Sequence, residues 1–266
     1  MKKIPYSQDA FFQYPLTEFT TSAGDIDLPI LYYDNSLCMA IFLVDIGKAQ
    51  PLVTDKRLEV VRLQGNKALV GISFYEYRQT AIGPYNEVGV ALLVAPTGTD
   101  LPRLPLLTLL GSLDKNSMGF HIIDLPVTTD AACAAGREVW GLPKFVTPIE
   151  FDLQGKRFSG GVQDPEGGNS IVTLEGEGIL SIPGPLLDLS LYSVLDGSIM
   201  RALVNTRGGS KIMLGGSMRL QIHQESGHPM AIRLRQLGLH GAKPLVVCVS
   251  STLQLRLNAG APVPAL

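Results

Sequence analysis

Cysteine is scarce in this 266-residue chain. Cys38, Cys133 and Cys248 are odd in number and far apart. That excludes a disulfide framework and a metal knuckle, and reads as reduced, buried thiols in a cytoplasmic protein. Charge is also scarce, at 17% of residues, and 22 basic against 24 acidic side chains leave a formal charge of −2. No basic excess is available for nucleic acid or an anionic membrane surface, and neither is expected as a partner. The longest apolar run, Leu37 to Val44, falls far short of the roughly 18 residues a membrane helix needs. The basic pair Lys2-Lys3 has no apolar stretch behind it, so no signal peptide is expected. There is no Gly-x-Gly-x-x-Gly after a strand, no Walker loop and no Gly-x-Ser-x-Gly elbow. The four histidines (His121, His223, His228, His240) lack close metal-ligand spacing, so no metal site is expected, and His228, between Gly227 and Pro229, reads as a turn.

Glycine and proline, by contrast, are plentiful, at 28 and 18 residues, and hydrophobic residues make up 45%. This favours a mainly β, turn-rich fold with a substantial core, read as a single domain over 1–266. A first strand is expected over 24–33. Asn35-Ser36 is placed to cap a helix running into 37–44. Residues 69–78 and 85–94 read as a hairpin, and a weak linker candidate lies at 96–99. Asp130 is placed to cap a helix that Gly141 ends in the left-handed conformation and Pro143 prevents from continuing. Alternation of Phe145, Thr147, Ile149, Phe151 and Leu153 predicts one continuous strand beyond it. Further strands are expected at 156–163, 170–176, 198–206, 211–222 and 244–257, the last as one strand or two, with a second helix at 229–237.

The stretch that carries chemistry is 136–151, Gly-Arg-Glu-Val-Trp-Gly-Leu-Pro-Lys-Phe-Val-Thr-Pro-Ile-Glu-Phe. It sets Lys144 between a helix stop and a strand, with apolar Leu142, Pro143 and Phe145 around it. Burial by those neighbours would disfavour the ammonium, and only a neutral amine attacks a carbonyl carbon to form an imine. The alternation itself allows another reading. Lys144 then shares a face with Val146, Pro148, Glu150 and Asp152 and points to solvent.

Gly136 to Lys144 resembles the signature of the acetoacetate decarboxylase family. Gly83-Pro84-Tyr85-Asn86-Glu87-Val88-Gly89 is similar to that family's Tyr-x-Glu hairpin, and a third, looser match runs through Met218-Arg219-Leu220-Gln221 and His228-Pro229. The resemblance spans about residues 25–260. It implies a mainly β (α+β) fold, an antiparallel cone-shaped β-barrel with a few peripheral helices, assembled as a homo-oligomer. It further implies a lyase acting on a small-molecule keto acid without a cofactor, Lys144 as imine-forming nucleophile and Glu87 as cavity carboxylate. Tyr85, Arg137, Glu138 and Trp140 become substrate-binding residues, although Arg137 and Glu138 equally suit structural roles at the helix end. An aldolase-dehydratase acting on pyruvate-like ketones is a second implied activity. A non-catalytic binding barrel is the rival of another class.

Four positions depart from the family pattern. Phe145 replaces a second lysine, Leu142 a tyrosine, Asp25 the arginine that holds the substrate carboxylate, and Ile72 a further glutamate. Arg62, Arg78 and Arg219 are the candidates to replace that arginine.

Overall fold

The computed structural model describes residues 6–109, 111 and 116–263. A hairpin of β1 (Thr17–Thr21) and β2 (Gly24–Leu28) leads into the long β3 (Ile30–Asp45). The one-turn helix α1 (Ile46–Ala49), β4 (Leu58–Val60), β5 (Lys67–Thr80) and β6 (Tyr85–Pro96) follow. After the short α2 (Pro105–Thr108) come β7 (Gly119–Val127), helix α3 (Asp130–Trp140) and β8 (Lys144–Val146). Next are β9 (Ile149–Gln154), β10 (Arg157–Gln163), β11 (Ser170–Glu177), β12 (Ile179–Gly184), β13 (Leu189–Leu195), β14 (Ser198–Arg207) and β15 (Ser210–Leu214). The described chain closes with β16 (Arg219–Ile222), α4 (Pro229–Gln236), β17 (Val246–Leu257) and β18 (Ala261–Pro262).

Seven strands form a closed ring in the order β17-β3-β5-β6-β7-β13-β14, with β14 pairing back to β17. Its neighbours are antiparallel apart from β7 and β13, which are parallel and meet at Phe120↔Leu191 and His121↔Tyr192. A separate sheet, β16-β11-β10-β9, covers the outside of the ring. Strand alternation sorts the packing. Val70, Ile72 and Phe74 of β5 and Val88, Val90 and Leu92 of β6 face outward into a core shared with Phe158, Val162, Ile171 and Leu174 of the covering sheet. The intervening residues of β5 and β6 face the barrel interior.

Where the structure differs from the sequence reading, pairing decides. The segment expected as a helix over 37–44 is the middle of β3, hydrogen-bonded to β5 on one side and β17 on the other. Its run is apolar because Leu37, Met39 and Ile41 face the barrel interior while Cys38, Ala40, Phe42 and Val44 face the outer core, only Leu43 being exposed. The strand expected from Phe145 to Leu153 breaks at Thr147-Pro148. Its halves join different sheets, β8 beside β7 and β9 beside β10. The segment 211–222 likewise divides at Gly215-Gly216 into β15 and β16, whereas 244–257 contains the single strand β17. Thr129, not Asp130, caps α3, its side chain accepting from the Ala132 amide. Gly141 ends α3 at φ +66°, as its type predicts.

Candidate active site

Lys144 opens β8, opposite Leu125 of β7 in parallel register. The preceding turn fixes its direction. Gly141 adopts the left-handed conformation so close to β13 that a Cβ there would lie 2.2 Å from the Val194 carbonyl oxygen. The alkyl stem of Lys144 then crosses α3 at Gly136, where a Cβ would lie 2.3 Å from both Cδ and Cε. From the same helix, Arg137 Nε donates to the Lys144 carbonyl at 2.7 Å. Helix α3 thus holds the lysine by backbone and by stem.

The amine is buried, with Lys144 5% exposed. Its Nζ lies 2.7 Å from Glu87 Oε2. Glu87, 8% exposed, sits on β6 level with Tyr75 of β5. The Tyr77 hydroxyl donates to the other carboxylate oxygen of Glu87 at 3.2 Å. The Tyr32 and Tyr85 hydroxyls are 3.0 Å apart, and Lys144 Nζ is 5.7 Å from the Tyr85 ring centre. Burial pushes all four phenols up, Tyr75 to about 12 and Tyr32, Tyr77 and Tyr85 well above the ordinary tyrosine value, with the Glu87 charge adding to the rise. They therefore stay protonated and can donate hydrogen bonds to a carboxylate or an oxyanion.

A cavity of about 330 Å³ runs from this cluster into the barrel. Its charged lining residues, among the described ones, are Lys144, Glu87 and Asp188; no arginine lines it. Leu142 is on the wall. Asp25 is exposed on β2 and accepts from the Thr20 hydroxyl at 2.8 Å, away from the cavity. None of the three candidate arginines reaches the wall. Arg78 bridges Asp34 and Glu76, Arg62 contacts Asn66, and Arg219 donates to the Met218 carbonyl. Ile72 faces the outer core while Ser73, next to it, faces in.

The structure therefore brings Lys144 and Glu87 into contact and sets Tyr85 behind the amine, off the cavity wall. Arg137 touches Lys144 through its backbone. Two residues expected at the substrate lie elsewhere. Glu138 is exposed and accepts from the Ser22 amide and hydroxyl, tying α3 to the β1–β2 turn. Trp140 is buried and its Nε1 donates to the Asn258 carbonyl at 3.0 Å. Neither lines the cavity. The solvent-facing reading of Lys144 fails: it is buried although Val146, Pro148, Glu150 and Asp152, which alternation groups with it, are exposed. Phe145, in place of a second lysine, packs against His228 with ring centres 4.9 Å apart and planes tilted by 42°. His228 itself caps α4, accepting from the Met230 amide, as its place before Pro229 suggests.

Sequence reasoning missed Tyr32, Tyr75, Tyr77 and the role of Gly136. The two-residue spacing of Tyr75 and Tyr77, facing Tyr85 and Glu87 across one hairpin, was the available signal.

The cluster thus sets a buried amine against a carboxylate, with protonated phenols around them.

The sequence profile described as acetoacetate decarboxylase (ADC) matches residues 14–209. No curated protein matches the chain. Among solved structures, the acetoacetate decarboxylase of Legionella pneumophila is similar at 16% identity, covering 97% of this chain and 95% of that one, with a TM-score of 0.63. A second acetoacetate decarboxylase structure is similar at 15% identity over 88% and 89% of the chains, with a TM-score of 0.62. The enduracididine biosynthesis enzyme MppR, complexed with the condensation product of pyruvate and imidazole 4-carboxaldehyde, is similar at 14% identity over 88% of each chain, with a TM-score of 0.61.

Proposed function

The chain belongs to the acetoacetate decarboxylase family, and from that premise we propose that it is a lyase that binds a keto acid through an imine on Lys144. The observation that carries the reading is the buried Lys144–Glu87 contact of 2.7 Å at the end of a mostly apolar cavity. Glu87 takes a proton from the ammonium, and the freed amine attacks the substrate carbonyl. The carbinolamine hydroxyl takes that proton back from Glu87 and leaves as water, giving an iminium that accepts the electron pair of a breaking bond β to nitrogen. With a 3-keto acid that bond joins the carboxylate, which leaves as CO₂. Glu87 is reprotonated from solvent and delivers that proton to the enamine carbon, and water returns to release the ketone. Net, one keto carboxylate and one proton become one ketone and CO₂.

Formed on pyruvate, the same iminium would lose a methyl proton to Glu87, and the resulting enamine would add to an aldehyde, the adduct then losing water. The absence of arginine from the described cavity wall favours keeping this second reading, and the complex reported for MppR is the precedent within the fold. The three unpaired, buried cysteines suit a reducing, cytoplasmic setting, and the family resemblance supports the proposal of a homo-oligomer. No helix among the described residues is long and apolar enough to cross a membrane.

Borohydride reduction in the presence of a panel of keto acids tests the imine. A covalent mass increment at Lys144, abolished in Lys144→Ala, is expected. If the panel leaves Lys144 unlabelled while other lysines react, the protein is a binding barrel and not an imine enzyme.

A further inference from the structure

The barrel interior carries an unusual sequence of rungs. Level with one another on β3, β5 and β6 are Leu37, Tyr75 and Glu87; then Met39, Ser73 and Gly89; then Ile41, Gly71 and Ala91. The second and third rungs are small on two adjacent strands. A seven-stranded ring with large inward side chains would fill its own middle. Here the small residues do not let the walls close up, because the cavity persists past them to Leu69, Leu109 and Met118. From Glu87 to Ala91 the strand advances about 13 Å at roughly 3.3 Å per residue. The lining along that length is mostly apolar, with Ser73 on the second rung, and Glu87, Lys144, Tyr75 and Tyr77 lie where it begins.

Acetoacetate is too short to use this channel. We propose that the substrate is a 3-keto acid whose carbonyl carries an unbranched apolar tail, the tail lying along Ser73, Gly89, Gly71 and Ala91 while the carbonyl meets Lys144. This rests on the imine reading above. With no cation besides Lys144 on the described wall to grip the carboxylate, burial of the tail becomes the main source of binding. Each buried methylene then strengthens binding about three- to fourfold.

The test is a chain-length series on the unmodified protein: acetoacetate, 3-oxohexanoate, 3-oxooctanoate, 3-oxodecanoate and 3-oxotetradecanoate. For each, the half-saturating concentration for borohydride labelling of Lys144 is read beside CO₂ release. The expected result is a fall of about three- to fourfold per added methylene, levelling off once the channel is full, with acetoacetate the poorest substrate. In Ala91→Leu and in Ser73→Leu, each checked for a native circular dichroism spectrum, the preference for 3-oxodecanoate over acetoacetate should drop at least tenfold. A flat series, or a preference for acetoacetate or pyruvate, overturns the substrate class while leaving the imine reading intact, as does an unchanged preference in both variants. The second arm measures the thermal shift of Lys144→Ala with 2-pentanone, 2-nonanone and 2-tridecanone, which needs no imine. A chain-length-dependent shift there, with no labelling by any keto acid, supports the tail channel and sinks the lysine mechanism.

Discussion

At the scale of single residues, Glu87 has two partners that set its task. It holds the Lys144 amine on one oxygen and the Tyr77 hydroxyl on the other. Glu87→Gln keeps the shape and can still accept from Tyr77, but it cannot take a proton. Turnover should slow by roughly 10²–10⁴-fold, while borohydride labelling of Lys144 persists, because loss of the carboxylate leaves a buried ammonium unpaired and favours the amine. Equal loss of labelling and turnover would make Glu87 a mere support for the lysine side chain. Lys144 and Glu87 were both legible in the sequence, since each sits in a local pattern. The phenols were not. Tyr77 meets Glu87 across ten positions of chain, and Tyr32 meets Tyr85 across fifty-three. Such contacts depend on strand register, which single-residue patterns do not encode.

At the scale of elements, α3 is the support of the site. Glycine inside a helix costs about 1 kcal/mol relative to alanine, so Gly136→Ala would ordinarily stabilise the protein. Here the added methyl lands on the Lys144 methylenes. Overpacking of this kind costs about 1–3 kcal/mol, and the stem must leave its track. Gly136→Ala should therefore lower both the melting temperature and the rate of labelling at Lys144; a higher melting temperature with unchanged labelling would contradict the crossing. The stop of α3 could be read from Gly141 and Pro143 because caps are local, while its cap was read one residue late, at Asp130 instead of Thr129. The identity of β3 could not, since a short apolar run buried on both faces carries neither helical nor strand periodicity. The break at Thr147-Pro148 was hidden for another reason. Alternation runs straight through it, and only the change of partner strand, from β7 to β10, ends one element and begins the next.

At the scale of the whole molecule, composition indicated a turn-rich β fold, but the ring's closure lies in pairings far apart in sequence. Its weakest side is visible. β7 and β13 share two residue pairs, against eight between β5 and β6 and seven between β13 and β14. Amide hydrogen exchange should find β13 residues facing β7 opening before those of β5 and β6, at free energies well below global unfolding. Uniform protection around the ring would contradict this.

The pairing of β17 with β3 has another consequence. Val246 lies against Ile41, about two hundred positions apart, and no local hairpin can stand in for that contact. During synthesis β3 can pair with β5 early, but its other edge must wait until β17 leaves the ribosome. For most of translation the nascent chain therefore presents an open, apolar strand edge, the feature most prone to joining a neighbouring chain. The barrel is completed in one late step, and a cell producing this protein must shield that edge until then.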